Sequence, residues 1–165
     1  MEEIIMIKLI ENTDYRYGEK YRFYGWEYAD EIKPSVPCGV ENIGQLYMGL
    51  LEAWSVETCS VRFRPDWSAD NPTAGQCTIT AAVVRELFGG EIRGLPLRDG
   101  SGVHSYNVIG GKIVDLACEQ FGKNALPDFS VSVEVDADRL LIGGDKLSRC
   151  ELLKENLKNL GIYKR

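Results

Sequence analysis

An α+β fold, with a cysteine-headed central helix packed on an antiparallel β-sheet and further helices flanking it, is what this sequence predicts. Three observations predict it. Apolar residues recur at helical spacing from Glu41 to Trp54, and the run from Cys77 to Phe88 is apolar on most sides, as in a buried helix. Three short strand-like runs follow between Glu91 and Leu116, separated by glycine-rich turns. A capping pattern at Ser148 then opens a last helix that runs toward Gly161.

The chain has 165 residues, and folding a chain of that size removes roughly 70% of its unfolded surface. One domain over 1–165 is therefore expected, with an N-terminal arm over 1–37 and the α+β core over 38–165. The 44% of hydrophobic residues against 27% charged exclude a disordered or fibrous chain. A net charge of -6 has the wrong sign for gripping a phosphate backbone, so no nucleic-acid partner is expected. The N-terminal Met1-Glu2-Glu3-Ile4-Ile5-Met6-Ile7-Lys8 puts acids where an export signal needs bases. No run approaches the ~18 apolar residues of a membrane span, so a cytoplasmic location without membrane contact is expected. Five cysteines at irregular spacing and a single histidine argue against both a disulfide framework and a metal site.

Each element has its own signature. Residues 1–37 mix charge with aromatics and end in Pro34 and Pro37, which reads as a strand or two or an irregular arm. In the first helix Ile43, Leu46, Tyr47, Leu50, Leu51 and Trp54 share one face. Pro65, Asp66, Asp70, Asn71, Pro72 and Gly75 mark Ser55 to Gly75 as a surface loop that delivers the chain to the second helix. Gly89-Gly90 stops that helix. Glu91 to Leu97, Val103 to Ile109 and Lys112 to Leu116 read as an antiparallel meander. The alternation in Phe129 to Val135 predicts a further strand. Ser148-Arg149-Cys150-Glu151 is a capping box, with Leu147 able to staple onto Leu152.

The chemistry concentrates at Cys77. A thiol at a helix N-terminus is a better nucleophile because unpaired backbone amides and the helix dipole favour the thiolate. Gly75 lets the preceding loop turn sharply, and the Cys77 amide is a candidate oxyanion donor. A small cysteine at the head of a buried helix is also ordinary core packing, so its partners decide the matter. His104 is the one histidine and thus the one available imidazole base. A two-residue hairpin loop at Gly110-Gly111 would set His104 opposite Ala117 and Tyr106 opposite Asp115. His104 and Asp115 then emerge on one face as diagonal neighbours roughly 7–8 Å apart at the backbone, close enough for the carboxylate to orient the imidazole. Nucleophile on a helix, then histidine and aspartate on successive strands, is an order that cysteine acyl-transfer enzymes use.

Several stretches carry a family resemblance. Trp54-Ser55-Val56-Glu57-Thr58, Pro72-Thr73-Ala74-Gly75-Gln76-Cys77-Thr78-Ile79-Thr80-Ala81, Phe88-Gly89-Gly90-Glu91-Ile92, His104-Ser105-Tyr106-Asn107, Val114-Asp115-Leu116 and Glu119-Gln120-Phe121 resemble the uncharacterised bacterial YunG-like family over about residues 50 to 121. That family brings no settled activity. More distantly, the order of the three residues is similar to the papain-like and transglutaminase-like cysteine superfamily. That resemblance implies Cys77 as nucleophile, His104 as general base and acid, and Asp115 as the group that orients the imidazole. It also implies an amide side chain near the cysteine for the oxyanion, and Asn71 and Gln76 are the amides at hand. The expected function is a cofactor-free cysteine hydrolase or amidase acting on a small-molecule, peptide or protein substrate, whose identity the sequence does not encode; nor does it encode the oligomeric state. The alternatives are a non-catalytic peptide- or ligand-binding module on the same scaffold and a redox-sensing thiol protein with Cys59 or Cys118 as resolving partner.

Overall fold

Asn42 starts the first long helix by accepting a hydrogen bond from the Gln45 amide at 2.8 Å, while the Gln45 side chain reaches back to accept from the Glu41 amide at 2.8 Å. Two donors that a helix start leaves unpaired are satisfied in this way. The computed structural model describes residues 9–11, 20–96, 103–121 and 125–164. In chain order the regular elements are β1 (Leu9–Glu11), α1 (Ile43–Ala53), α2 (Cys77–Phe88), β2 (Glu91–Pro96), β3 (Val103–Ile109), β4 (Lys112–Val114), β5 (Ala125–Pro127), β6 (Val133–Glu134) and α3 (Lys146–Asn159). Short 3-10 turns lie between them. Among the described residues no helix is long and apolar enough to cross a membrane.

The strands β4, β3, β2 and β6 form one antiparallel sheet in that order, and β1 pairs with β5 apart from it. Helix α2 packs against β3 on one side and α3 on another, with α1 also against α3. The main core gathers Ile43, Leu46, Tyr47 and Leu50 from α1, Ile79, Val83 and Leu87 from α2, and Leu153 and Leu157 from α3. Helix α2 is therefore buried on most sides, as its composition predicts. Two glycines of α1 allow close approach by other segments: a Cβ at Gly49 would lie 2.2 Å from Ile162 Cδ1, and one at Gly44 would lie 2.7 Å from the Tyr21 ring.

The β3–β4 hairpin follows the predicted register, with Ile109 opposite Lys112, Val108 opposite Ile113 and Asn107 opposite Val114. Gly110 and Gly111 have φ of 56° and 80°, the left-handed pair that a two-residue type I′ loop requires. The ladder is shorter than expected. It stops at Val114 because the Asp115 backbone turns to exchange hydrogen bonds with Tyr24, at 3.0 and 3.3 Å. The expected His104–Ala117 and Tyr106–Asp115 pairings are absent from the ladder, and Leu116 lies outside the strand.

Within the 1–37 arm, Leu9–Glu11 is a strand, Trp26–Tyr28 form a 3-10 turn, and Phe23, Ala29 and Ile32 enter the main core; residues 1–8 and 12–19 lie outside those described. Three further expectations are corrected by the structure. The Ser55 to Gly75 segment does not simply run over the surface: Thr58, Cys59, Thr73 and Ala74 are buried, and Val61–Asp66 is a 3-10 turn. Phe129 to Val135 is not one strand, since the Asp128 carboxylate accepts from both the amide and hydroxyl of Ser130 and folds Phe129–Val131 into a 3-10 turn before β6. Helix α3 begins at Lys146 with Asp145 as cap residue, so Ser148 sits inside the helix and donates to the Asp145 carbonyl. Leu147 and Leu152 are 56% and 37% exposed, which rules out a buried staple.

The face of α1 gives a direct test of this packing. Leu50 is fully buried while its neighbour Leu51 is 36% exposed. Urea titration of Leu50→Ala is expected to show a loss of about 2–5 kcal/mol, against under ~1 kcal/mol for Leu51→Ala. Equal losses would mean that α1 presents a different face.

Candidate functional site

The chain approaches α2 through Gly75, whose φ is 67° and whose absent Cβ would otherwise lie 2.6 Å from Cys59 Sγ. Only glycine fits there without moving the backbone. Cys77 is then the first residue of α2 and is half-buried, at the helix end where the backbone amides lack intrahelical partners. From the sheet, the Ser105 backbone amide donates to the Cys77 sulfur, beyond the point where the β3–β4 ladder ends. The hydroxyl of Thr78 is 3.8 Å from it.

His104 extends from β3 with 3% exposure, and Asp115, just past β4, has 1%. The imidazole Nε2 lies 2.7 Å from Asp115 Oδ2, and the other carboxylate oxygen accepts from the Ala117 amide at 3.2 Å. Shared sheet parity accounts for their meeting even though Asp115 has left the ladder. Burial disfavours charge on His104, but the charge and hydrogen bond of Asp115, helped by Cys77, outweigh it and raise the imidazole to about 10. Burial likewise opposes the Cys77 thiolate, yet the hydrogen bond and charge of His104, the Ser105 amide and the Thr78 hydroxyl bring the thiol down to about 7. Each charge thus favours the other, the imidazolium favouring the thiolate and the thiolate the imidazolium.

The structure therefore brings together Cys77, His104 and Asp115. It does not bring the two predicted amides to them. Gln76 is fully buried, with Nε2 donating to the Ser55 carbonyl and Oε1 accepting from the Thr58 hydroxyl. The Asn71 amide donates to the Asp66 carbonyl. Neither side chain lines the cleft at Cys77.

A different amide stands at the histidine. Gln120 Nε2 lies 2.8 Å from His104 Nδ1, delivered by the 3-10 turn Cys118–Phe121. That turn is tied down by Glu119, which pairs with Arg22 at 2.8 Å. A glutamine can donate to a neutral ring or, with its amide turned over, accept from a protonated one. The sequence signals for it were its place just after Asp115 and its presence in the Glu119-Gln120-Phe121 stretch of the family resemblance, while nothing local shows that the chain doubles back. Cys59 is a poor resolving thiol: burial, only partly offset by Arg149 and Arg64, pushes it up to about 11.

A cleft of about 340 Å³ opens beside Cys77. Its wall includes Thr78, Ser105 and Arg149. Arg149 is buried in α3, with Nη1 donating to the carbonyls of Thr58 at 2.9 Å and Gly75 at 3.5 Å, and Nε to Asp145 at 3.0 Å. One side chain thus fixes the segment leading into the cysteine from both ends. The sequence offered Arg149 only as part of a capping pattern.

Fold and site together define an α+β protein whose central helix presents a cysteine to a buried histidine–aspartate pair. The family model described as YunG protein matches residues 42–160, and the chain belongs to that family. The uncharacterized protein YunG of Bacillus subtilis (strain 168) is 36% identical over 72 residues, covering 44% of this chain and 56% of that protein. The chain thus spans about half the length of this curated relative. The family match takes in α1 and α3 as well as the motifs around the cysteine and histidine. No solved structure matches the chain.

The electrostatics predict a pH profile. Iodoacetamide labelling of Cys77 follows the thiolate, so it is expected to rise with pH through a midpoint near 7. In His104→Ala the lowering influences of the ring vanish while burial persists, and the midpoint should move upward toward the ordinary thiol value of 9.0. Peptide mass spectrometry against pH measures both, and an unmoved midpoint would separate Cys77 from His104.

Proposed function

We propose that this protein is a cysteine-dependent acyl-transfer enzyme of the hydrolase or amidase type, on a papain-like or transglutaminase-like scaffold formed by the whole chain as one domain. The observation that carries the reading is the buried His104–Asp115 hydrogen bond of 2.7 Å set against a thiol at the head of α2. The cytoplasm, where thiols stay reduced, suits five free cysteines.

In this reading the Cys77 thiolate adds to the carbonyl carbon of an amide or thioester and forms a C–S bond. Negative charge builds on the carbonyl oxygen, where the Cys77 amide at the start of α2 can meet it. Collapse breaks the bond to the leaving group, which takes a proton from the His104 imidazolium. With Nε2 held by Asp115, Nδ1 is the nitrogen that exchanges this proton, and the Gln120 amide, 2.8 Å from Nδ1, gives up that contact as the proton passes. His104, now neutral, removes a proton from water or another acceptor, which attacks the thioester and restores the thiolate. Asp115 keeps its charge throughout and holds the tautomer.

A second reading, a non-catalytic ligand-binding module, is favoured by one observation: no side-chain amide lines the cleft among the described residues. The two readings part on a covalent intermediate. Incubation with a p-nitrophenyl ester is expected to give an acyl adduct on Cys77 by mass spectrometry with a burst of nitrophenolate. Turnover should fall about 10³-fold or more in Cys77→Ala and His104→Ala. An adduct that never forms, with both variants folded by circular dichroism, favours the binding module.

A further inference from the structure

Although the chain carries a net charge of -6, the cleft at Cys77 has the opposite sign. Arg62, Lys146 and Arg149 line it, and no carboxylate does among the described residues. Arg149 is buried and shares its Nε with Asp145, so its field is partly offset. Lys146, half-buried at the first position of α3, has no ion-pair partner among the described residues. Arg62 is exposed and lies over the Phe63 ring at 5.5 Å. An ammonium and a guanidinium at the mouth of a small low-dielectric cleft concentrate anions there.

Inside the cleft an independent feature points the same way. Ser105 is 2% exposed, its hydroxyl has no hydrogen-bond partner among the described residues, and it lines the same cleft as Cys77 and Thr78. A buried hydroxyl left unpaired costs about 1–3 kcal/mol, a cost that a bound acceptor atom removes. The site therefore offers one uncommitted hydroxyl in the wall and two cations at the rim. The volume of about 340 Å³ lies at the small end of ligand pockets, which run to roughly 300–1,000 Å³.

Resting on the nucleophile reading of Cys77, we propose that its acyl substrate is anionic: a small amide or thioester whose acyl portion bears a carboxylate, drawn in by Lys146 and Arg62 and hydrogen-bonded by Ser105. The acyl carbonyl meets Cys77 while the carboxylate stays between the two cations. The bonds made and broken are those of the acyl transfer above, and the carboxylate takes no part in them. A neutral or cationic acyl group of the same size gains nothing from the positive field at the rim and leaves the substrate unanchored.

Two alkylating probes of similar size, one anionic and one neutral, test this at pH 8. Iodoacetate and iodoacetamide each lose iodide to the attacking thiolate, and their rate ratio at Cys77 is compared with the ratio at glutathione. The cleft is expected to favour iodoacetate by roughly tenfold over the glutathione ratio, less at high salt. In Arg62→Gln/Lys146→Gln, both on solvent-accessible side chains, that excess should fall to near the glutathione value. An excess that persists in the double variant traces to Arg149 or the His104 imidazolium rather than the rim cations and overturns the proposal, as does no excess in the native protein. Slow reaction with both probes, no faster than an ordinary thiol, instead overturns the nucleophile reading and this proposal with it. Fast reaction without charge preference leaves the nucleophile standing and removes only the anionic substrate.

Discussion

The hydrogen bond of 2.7 Å between His104 and Asp115 is the interaction on which the rest of the site depends. Both groups are almost wholly buried, and a lone imidazolium in such a place would shed its proton. The carboxylate opposes that loss and favours the protonated form of His104. That cation in turn carries the Cys77 thiol below its ordinary value against the same burial. The order of causes is carboxylate, imidazole, thiol, each stabilising charge on the next, with the first two shielded from water and the thiol at the edge of the cleft. Asp115 is itself satisfied, because its second oxygen accepts from the Ala117 amide.

Such a chain of charges needs rigid supports, and the fold supplies them from three directions. Tyr24 pulls the backbone at Asp115 out of the β3–β4 ladder, which sets the carboxylate under the imidazole. Gln120 fixes the far nitrogen of the ring. Arg149 reaches across 91 residues to the Thr58 carbonyl and across 74 to that of Gly75, clamping the segment that presents Cys77. A buried guanidinium bonded to backbone carbonyls has little freedom to relax, so removing it would leave acceptors unpaired at the site's foundation. The same cation gives the cleft part of its sign.

Much of the fold was legible because it rests on short-range physics. Helix α2 appears at its expected limits of Cys77 and Phe88, since apolar composition bounded by Gly75 and Gly89 leaves little else. The Gly110-Gly111 loop sets the hairpin register because only that loop type tolerates two left-handed residues. The misreadings share a cause. The Phe129 to Val135 alternation is a by-product of the Asp128–Ser130 turn. The capping pattern at Ser148 is overridden when Asp145 is drawn to Arg149. In both, a side chain's local signal is read correctly as hydrogen-bonding capacity but assigned to the wrong partner.

The sequence by itself determined which residues could form the site. One histidine, one cysteine at the head of a glycine-bounded helix, and a hairpin whose parity puts Asp115 on the histidine's face leave few other combinations, because helix limits and strand parity are set within a few residues. Tertiary structure alone decided how the site is tuned. The departure of Asp115 to Tyr24, the approach of Gln120 to the ring, the burial of Gln76 away from the cleft and the cations gathered from the 62 and 146–149 segments all depend on chain segments distant in sequence. Periodicity and turn chemistry carry no information about those meetings, since they arise only when the core closes and each polar group finds what is left to bond.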